Sequence, residues 1–483
     1  MKKNLAQIRD TDSLLSYLFE ASPETLQFLA KNPVIIKVII KTLEGGLKRK
    51  IFSNPDYPKK VLEDKYNLYH AFLKTFESFL LAEKGQTYLR ALIYDFLPRF
   101  LASAKKQSEK NIQFEKEFGV KPPSFIAVSP GKFCNLKCKG CYACSDSSAK
   151  EKLSFSVFDW ILKEKANWGS WFTVLSGGEP LLWKDGPKDI FDIAKKHPDQ
   201  YFLMYTNSTA IDKKVARKLA EVANITPAIS VEGFEVETDW RRGKGVFKKI
   251  LRAMDYLKAE GVPFGISVTA TRKNINLIKT EEFYRFFRAR GAFYAWMFHL
   301  MPIGRGSFDL VITADERLEL YNEIQKLIKK GYFIADFWNC GAISDGCISA
   351  GREGGYFYIE WNGHITPCAF NPYSFANVNE LYQKKRKLGE VINMPYMKDI
   401  RRWQKNYGFR KPKEKIGNWI MPCPIRDHYN DLHKIMMRNQ LKPIDGPASK
   451  AIKDSEYQQK MAEYDKSLSL VLDPIWQKIR DNK

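Results

Sequence analysis

The chain has 483 residues, 44% apolar and 14% aromatic, which supplies a large core and excludes a disordered or fibrous chain. Lysine and arginine number 78 against 55 acidic residues, a formal charge of +23 that favours anions: nucleic acid, acidic headgroups or a phosphorylated substrate. No run of about 18 apolar residues suggests a membrane span, and the opening MKKNLAQIRDTDSLLSYL lacks a secretory apolar core, so a cytoplasmic protein is expected.

Residues 1–120 are expected to form a helical N-terminal domain. LLSYLFEASPETLQFLAKNPVIIKVIIKTL spaces apolar residues helically and breaks at Asn32-Pro33, and KYNLYHAFLKTFESFLLAEKG and TYLRALIYDFLPRFLASAKK continue the pattern. Gly45-Gly46 and the stretch from Pro55 to Pro58 are expected to punctuate it. From Phe125 the pattern changes. FIAVS, WFTVL, YFLMY, PAISV, PFGISVT and AWMFHL read as strands, each followed by a helical segment. Six βα units within 121–330 predict an α/β core: a parallel sheet covered by helices, open or closed as a partial barrel. In such folds the loops after the strands carry the chemistry. In 331–440, GYFYIE and HITPCAF flank Asn362-Gly363, a strong hairpin signal. Residues 441–483 are expected to end the chain as a helical tail.

Eight cysteines are too few for a disulfide scaffold in a chain this long. Four crowd into KFCNLKCKGCYACS; Cys340, Cys347, Cys368 and Cys423 lie in the last third. Cys134, Cys138 and Cys141 are spaced C-x3-C-x2-C. A structural zinc normally takes four ligands. Three thiolates in a short loop instead suit an iron–sulfur cubane with one iron left open.

CNLKCKGC resembles the hallmark loop of radical S-adenosylmethionine (radical SAM) enzymes. The resemblance spans about residues 122–310. It implies a partial (β/α)6 TIM-like barrel, and a [4Fe-4S] cluster on Cys134, Cys138 and Cys141 whose open iron takes the amino and carboxylate groups of SAM. Many members have an aromatic residue just before the third cysteine; here Gly140 stands there and Tyr142 follows, leaving the adenine contacts open. Cys144 is extra, a neighbouring structural thiol or a fourth ligand. SGGEP resembles the family's GGEP turn, so Ser176, Gly177, Gly178 and Glu179 are expected at SAM. YTNS resembles the TNG-like segment and contributes Thr206 and Asn207. SVEGF resembles S-x-D-G, giving Ser230 and Glu232, the latter in place of aspartate. Arg242 resembles the arginine that pairs with the SAM carboxylate, a role that suits a guanidinium. MPIGRG resembles P-x-GRG, placing Ile303 and Gly304 at the adenine and leaving Arg305 for substrate. His299 reads as a core residue, with proton transfer as the alternative.

CISAGREGGYFYIEWNGHITPC resembles the hairpin of SPASM/Twitch extensions. This implies one auxiliary [4Fe-4S] cluster held from Cys340, Cys347, Cys368 and Cys423, with Cys340 the possible bystander; zinc and unpaired structural thiols are the rivals. Reductive SAM cleavage to a 5′-deoxyadenosyl radical, hydrogen abstraction, an anaerobic setting and a ferredoxin or flavodoxin donor follow from the resemblance. A peptide or protein is the expected substrate. A membrane lipid is the alternative, because IIKVIIKTLEGGLKRK is apolar on one side and basic on the other, which suits peripheral contact with an anionic membrane face. An iron–sulfur electron carrier without SAM chemistry is the third reading. No motif supports a nucleic-acid partner.

Overall fold

The computed structural model describes residues 10–82 and 85–481; the reading of Met1–Arg9 as free of a signal lies outside them. Seven helices come first: α1 (Thr11–Glu20), α2 (Pro23–Lys31), α3 (Pro33–Phe52), α4 (Lys59–Leu81), α5 (Gln86–Arg90), α6 (Leu97–Lys105) and α7 (Gln107–Phe118). Asn32 divides α2 from α3: its side chain accepts from Val34 N and Ile35 N, and Pro33 starts the new helix. Gly45 and Gly46 do not interrupt α3 as expected. A Cβ on Gly46 would stand 1.9 Å from Thr11 Oγ1, so the glycine lets α1 cross closely. Between α5 and α6, Ala91–Phe96 winds as a π-helical turn ahead of Pro98, which has no amide to donate.

Six parallel strands follow: β1 (Phe125–Val128), β2 (Phe172–Leu175), β3 (Tyr201–Thr206), β4 (Ile225–Val231), β5 (Phe264–Ala270) and β6 (Ala292–His299). Helices α8 (Phe155–Asn167), α9 (Ile190–Lys196), α10 (Lys213–Val222), α11 (Glu235–Arg242), α12 (Val246–Ala259), α13 (Glu281–Ala289) and α14 (Ala314–Lys329) connect and cover them. β7 (Ile334–Asp336) pairs parallel to β6, while β8 (Tyr358–Ile359) pairs parallel to β1 and continues antiparallel into β9 (His364–Thr366) and β10 (Ala376–Asn377). The sheet order β10-β9-β8-β1-β2-β3-β4-β5-β6-β7 is that of a partial TIM-like barrel. The cysteine-bearing segment 331–440 therefore extends the same sheet, and Gly363, at φ +84°, turns its hairpin.

The N-terminal helices close the floor. Phe72 packs on Phe333, Phe79 on Phe293, Phe96 on Tyr201 and Phe100 on Trp171, with ring centroids 4.9–5.5 Å apart. Each barrel partner sits at or just before the start of a strand, opposite the loops that bear the cysteines. The last helix, α15 (Ser455–Arg480), packs Leu468, Leu472 and Trp476 against Tyr321 and Val61. One buried ion pair ties the extension to the barrel wall. Arg317 on α14 donates to both carboxylate oxygens of Asp427, at 2.6 and 3.1 Å, and to the carbonyls of Trp338 and Ile420. Both side chains are fully buried. Asp427→Asn would leave a buried guanidinium without its counter-charge and should cost about 3–5 kcal/mol of stability by denaturant unfolding. A loss below about 0.5 kcal/mol would show that the pair is not a structural tie.

Candidate active site

Alternation along the strands decides what faces the interior. Phe125 and Ala127, Phe172 and Val174, Leu203 and Tyr205, and Trp296 and Phe298 point into a cavity of about 380 Å³. The sulfur-bearing residues Cys134, Cys138 and Cys141 line its upper part, in the loop after β1. That loop is held through its backbone. Arg241 Nε donates to Lys139 O at 3.0 Å, and Lys139 N donates back to Arg241 O at 2.9 Å. Arg305 Nε and Nη2 donate to the carbonyls of Cys138 and Ser145 at 3.2 and 2.7 Å. Arg305 is thus engaged by the cysteine loop.

Three donors approach the sulfurs: Leu136 N lies 3.5 Å from Cys134 Sγ, Asn207 Nδ2 3.7 Å from the same sulfur, and Arg242 Nη1 4.0 Å from Cys138 Sγ. Burial pushes the Cys134 thiol up to about 12 and raises that of Cys138 against the pull of Arg242. As thiols these groups gain little from such donors; as thiolates on a cationic cluster they gain charge-assisted bonds. The donor set therefore fits a [4Fe-4S] cluster. Cys144 does not line the cavity.

The SGGEP turn after β2 presses onto this loop. Gly178 N donates to Gly131 O at 2.9 Å and Glu179 N to Phe133 O at 2.8 Å. A Cβ on Gly178 would sit 2.0 Å from Phe133 O, and Gly177 adopts φ +109°. Ser176, Gly177, Gly178, Thr206, Asn207, Ser230 and Arg242 share the cavity with the cysteines. Glu179 does not reach it: its carboxylate accepts from Thr206 Oγ1 at 2.7 Å and Asn207 N at 2.8 Å, pinning the β3 loop. Glu232 is also turned away, accepting from Arg241 and from Arg242 Nε at 3.0 Å. Burial opposes the charge of Arg242, yet Glu232 holds it in its cationic form. Ile303 and Gly304 line an adjoining cavity of about 450 Å³ that shares Tyr142 and Phe370 with the first. Tyr142 Oη donates to Ser176 Oγ at 3.3 Å.

In the extension, Cys347, Cys368 and Cys423 act on one another electrostatically, and Tyr356 Oη lies 3.1 Å from Cys368 Sγ. Cys340 stands apart, its thiol directed at Phe337 O, 3.7 Å away, with Asp336 as its charged neighbour. Among the described residues no three metal-ligating side chains crowd onto a single ion.

The sequence model of the Radical SAM superfamily matches residues 128–287, from the end of β1 through most of α13. The chain belongs to the radical SAM superfamily. It is a radical SAM enzyme, and a [4Fe-4S] cluster and SAM are the cofactors this family binds. It is 28% identical over 289 residues to the AdoMet-dependent heme synthase of Methanosarcina barkeri, covering 53% of this chain and 80% of that one. It is 29% identical over 251 residues to the Fe-coproporphyrin III synthase of the same organism, covering 48% of this chain but only 59% of that protein. The fold matches native anSMEcpe with bound AdoMet and Kp18Cys peptide at a TM-score of 0.51 and 16% identity, over 75% of this chain and all of that one.

Glu179 carries a measurable signature. It is 2% exposed, and burial raises its carboxyl to about 7 despite the donors around it. The folded chain holds a proton there that the unfolded chain has already released, so this group lowers stability as pH rises from its unfolded value of 4.5 through about 7. Between about pH 5 and about pH 8, Glu179→Gln should gain about 2–3 kcal/mol relative to wild type in anoxic urea unfolding. A pH-independent difference would contradict the burial of an ionisable pin.

Proposed function

We propose that this enzyme takes a hydrogen atom from a hydrocarbon segment of a lipid substrate held inside the barrel. The carrying observation is the wall below the three cysteines. Phe125, Phe172, Trp296, Phe298, Phe337 and Phe370 line it, and its cations are committed elsewhere, Arg241 to Glu232, Arg242 to Glu232 and the SAM carboxylate, and Arg305 to backbone carbonyls. A peptide backbone would bring amides that such a wall leaves unpaired, and a porphyrin would bring carboxylates needing free cations. A hydrocarbon needs neither.

In this reading Cys134, Cys138 and Cys141 hold the cluster. Bound together, cluster and SAM supply a 5′-deoxyadenosyl radical. The chain's own residues orient and shield. Gly177 and Gly178 offer backbone groups to the methionine end, Arg242 and Ser230 approach its carboxylate, and Thr206 and Asn207 face its polar edge. Tyr142, Ile303 and Gly304 flank the adenine. The apolar wall excludes water from the reacting carbon. Cys347, Cys368 and Cys423 hold an auxiliary [4Fe-4S] cluster, with Cys340 outside the set. These three thiols lie near enough to influence one another's charge, as ligands of one shared cluster must. A ferredoxin or flavodoxin supplies the electron, and the net charge of +23 favours such acidic donors.

A second observation supports the lipid. No helix of the described residues is long and apolar enough to cross a membrane. Helix α3 nevertheless leaves Val34 and Val38 exposed at 70% and 60%, on one face with exposed Lys37, Lys41 and Lys48. An apolar stripe flanked by lysines suits an anionic bilayer surface.

Anoxic enzyme with SAM, dithionite and phosphatidylglycerol vesicles carrying perdeuterated acyl chains should yield 5′-deoxyadenosine containing deuterium. Unlabelled nucleoside from these vesicles, with label arriving instead from a deuterated peptide, would return the substrate to the peptide class. Cys138→Ala should abolish 5′-deoxyadenosine, and persistence would remove the cysteine trio from the chemistry. Replacing Lys37, Lys41 and Lys48 with glutamate should weaken co-flotation with these vesicles by well over tenfold, since each lysine near the surface contributes about 1 kcal/mol. Equal flotation would detach α3 from the membrane.

A further inference from the structure

Among the polar side chains that line the cavity, His299 has a buried ring nitrogen without a partner among the described residues. His299 is the last residue of β6, lines the cavity and is 1% exposed. β7 lies parallel beside β6, in register Met297 with Asp336, which brings the Asp336 carboxylate to His299 Nε2 at 3.0 Å. Asp336 is fixed in turn by Asn339 Nδ2 at 2.8 Å and by the amides of Trp338 and Asn339. A carboxylate only accepts, so Nε2 carries the ring proton and Nδ1 keeps its lone pair. Burial, with Arg426 and Arg317 nearby, outweighs Asp336 and holds the imidazole down to about 4, so the ring stays neutral. Nδ1 has no hydrogen-bond partner among the described residues. The ring of Trp338, outside the cavity lining, lies against that of His299, centroids 5.7 Å apart, and backs it from behind.

A lone acceptor on a residue that lines an apolar cavity is costly unless a ligand meets it. A hydroxyl is the smallest organic group that donates to such an acceptor, and a hydrocarbon chain can carry one. We propose that His299 Nδ1 accepts a hydrogen bond from a substrate hydroxyl and so fixes which carbon lies under the radical. The inference rests on the hydrocarbon reading of the cavity and adds to it: the substrate bears a hydroxyl on an otherwise apolar chain. Asp336 is a positioning residue that acts through His299 by setting its tautomer.

The test uses two isomers, 1-decanol and 1-methoxynonane, which have the same atoms but differ in the hydroxyl. Their binding to the reconstituted, SAM-loaded enzyme is followed by calorimetry and by the fluorescence of Trp296. Without a partner for the hydroxyl, the ether should bind better, because burying an unpaired O–H is unfavourable. We expect the alcohol to bind better in wild type, the alcohol-to-ether ratio to fall about fivefold in His299→Phe, and His299→Gln, which keeps an acceptor, to retain it. Nitrogen-15 resonances of His299 should move at Nδ1 on adding decanol and stay unchanged on adding the ether. A wild-type preference for the ether, or the same ratio in all three proteins, would overturn the inference while leaving the hydrocarbon cavity intact. Binding of neither isomer would overturn the cavity reading and this inference with it. If His299→Phe fails to fold, the wild-type ratio and the nitrogen shifts decide.

Discussion

Two backbone segments approach more closely here than any side chain would permit. The cysteine loop and the Gly177-Gly178 turn hydrogen-bond directly, and a methyl group at Gly178 would collide with Phe133 O. Much follows from that contact. It places three sulfurs beside the ends of β1 and β2, leaves Gly177 and Gly178 lining the cavity, and leaves Glu179 free to face the β3 loop instead of the cavity. Gly304 repeats the device on the far side, where a Cβ would stand 2.3 Å from Tyr142 O. Glycine is required at these points because the loops must interlock, not because they must flex.

The interior is built so that cations serve the loop and leave the substrate space apolar. Arg241 and Arg242 meet on Glu232, Arg305 meets carbonyls, and Arg317 meets Asp427. A buried guanidinium is tolerable only with such partners. The large positive net charge thus says little about the reaction centre. Much of it lies outside, on exposed residues such as Lys37, Lys41 and Lys48 of α3.

How much of this was legible in the sequence depended on how locally each feature is encoded. Strand–helix alternation from Phe125 and the spacing of Cys134, Cys138 and Cys141 are local patterns, and the barrel and its sulfur-lined mouth follow from them. The Asn32-Pro33 break and the Asn362-Gly363 hairpin are likewise written in adjacent residues. Gly45-Gly46 misleads for the opposite reason: its use is to admit α1, a packing fact that no dipeptide encodes. The directions of Glu179 and Glu232 were hidden as well, because a motif names a side chain without saying which of two loops it will face. Cys340 already reads as the odd member of the four in the chain, and the fold sets it beside Asp336, apart from Cys347, Cys368 and Cys423. His299 and Asp336 stand 37 residues apart and meet because β6 and β7 are neighbours, a pairing visible only once the sheet order is known.

The N-terminal helices give the barrel something its strands cannot supply alone. A six-stranded barrel with large side chains pointing inward is open at both ends, and solvent entering from below would reach a radical as readily as solvent from above. Phe72, Phe79, Phe96 and Phe100 stack on residues at the strand starts and seal that end. The seal explains why aromatic walls as deep as Phe125 and Phe172 remain available to a ligand and are not merely floor packing. It also orients the molecule: α3 packs on α4, whose other face closes the floor, so the lysine-bearing face of α3 lies outside the helix layer that seals the barrel. In the lipid reading proposed above, a substrate drawn from a bilayer at α3 would pass around the barrel to its mouth, a route that suits a long, flexible chain better than a rigid ring system.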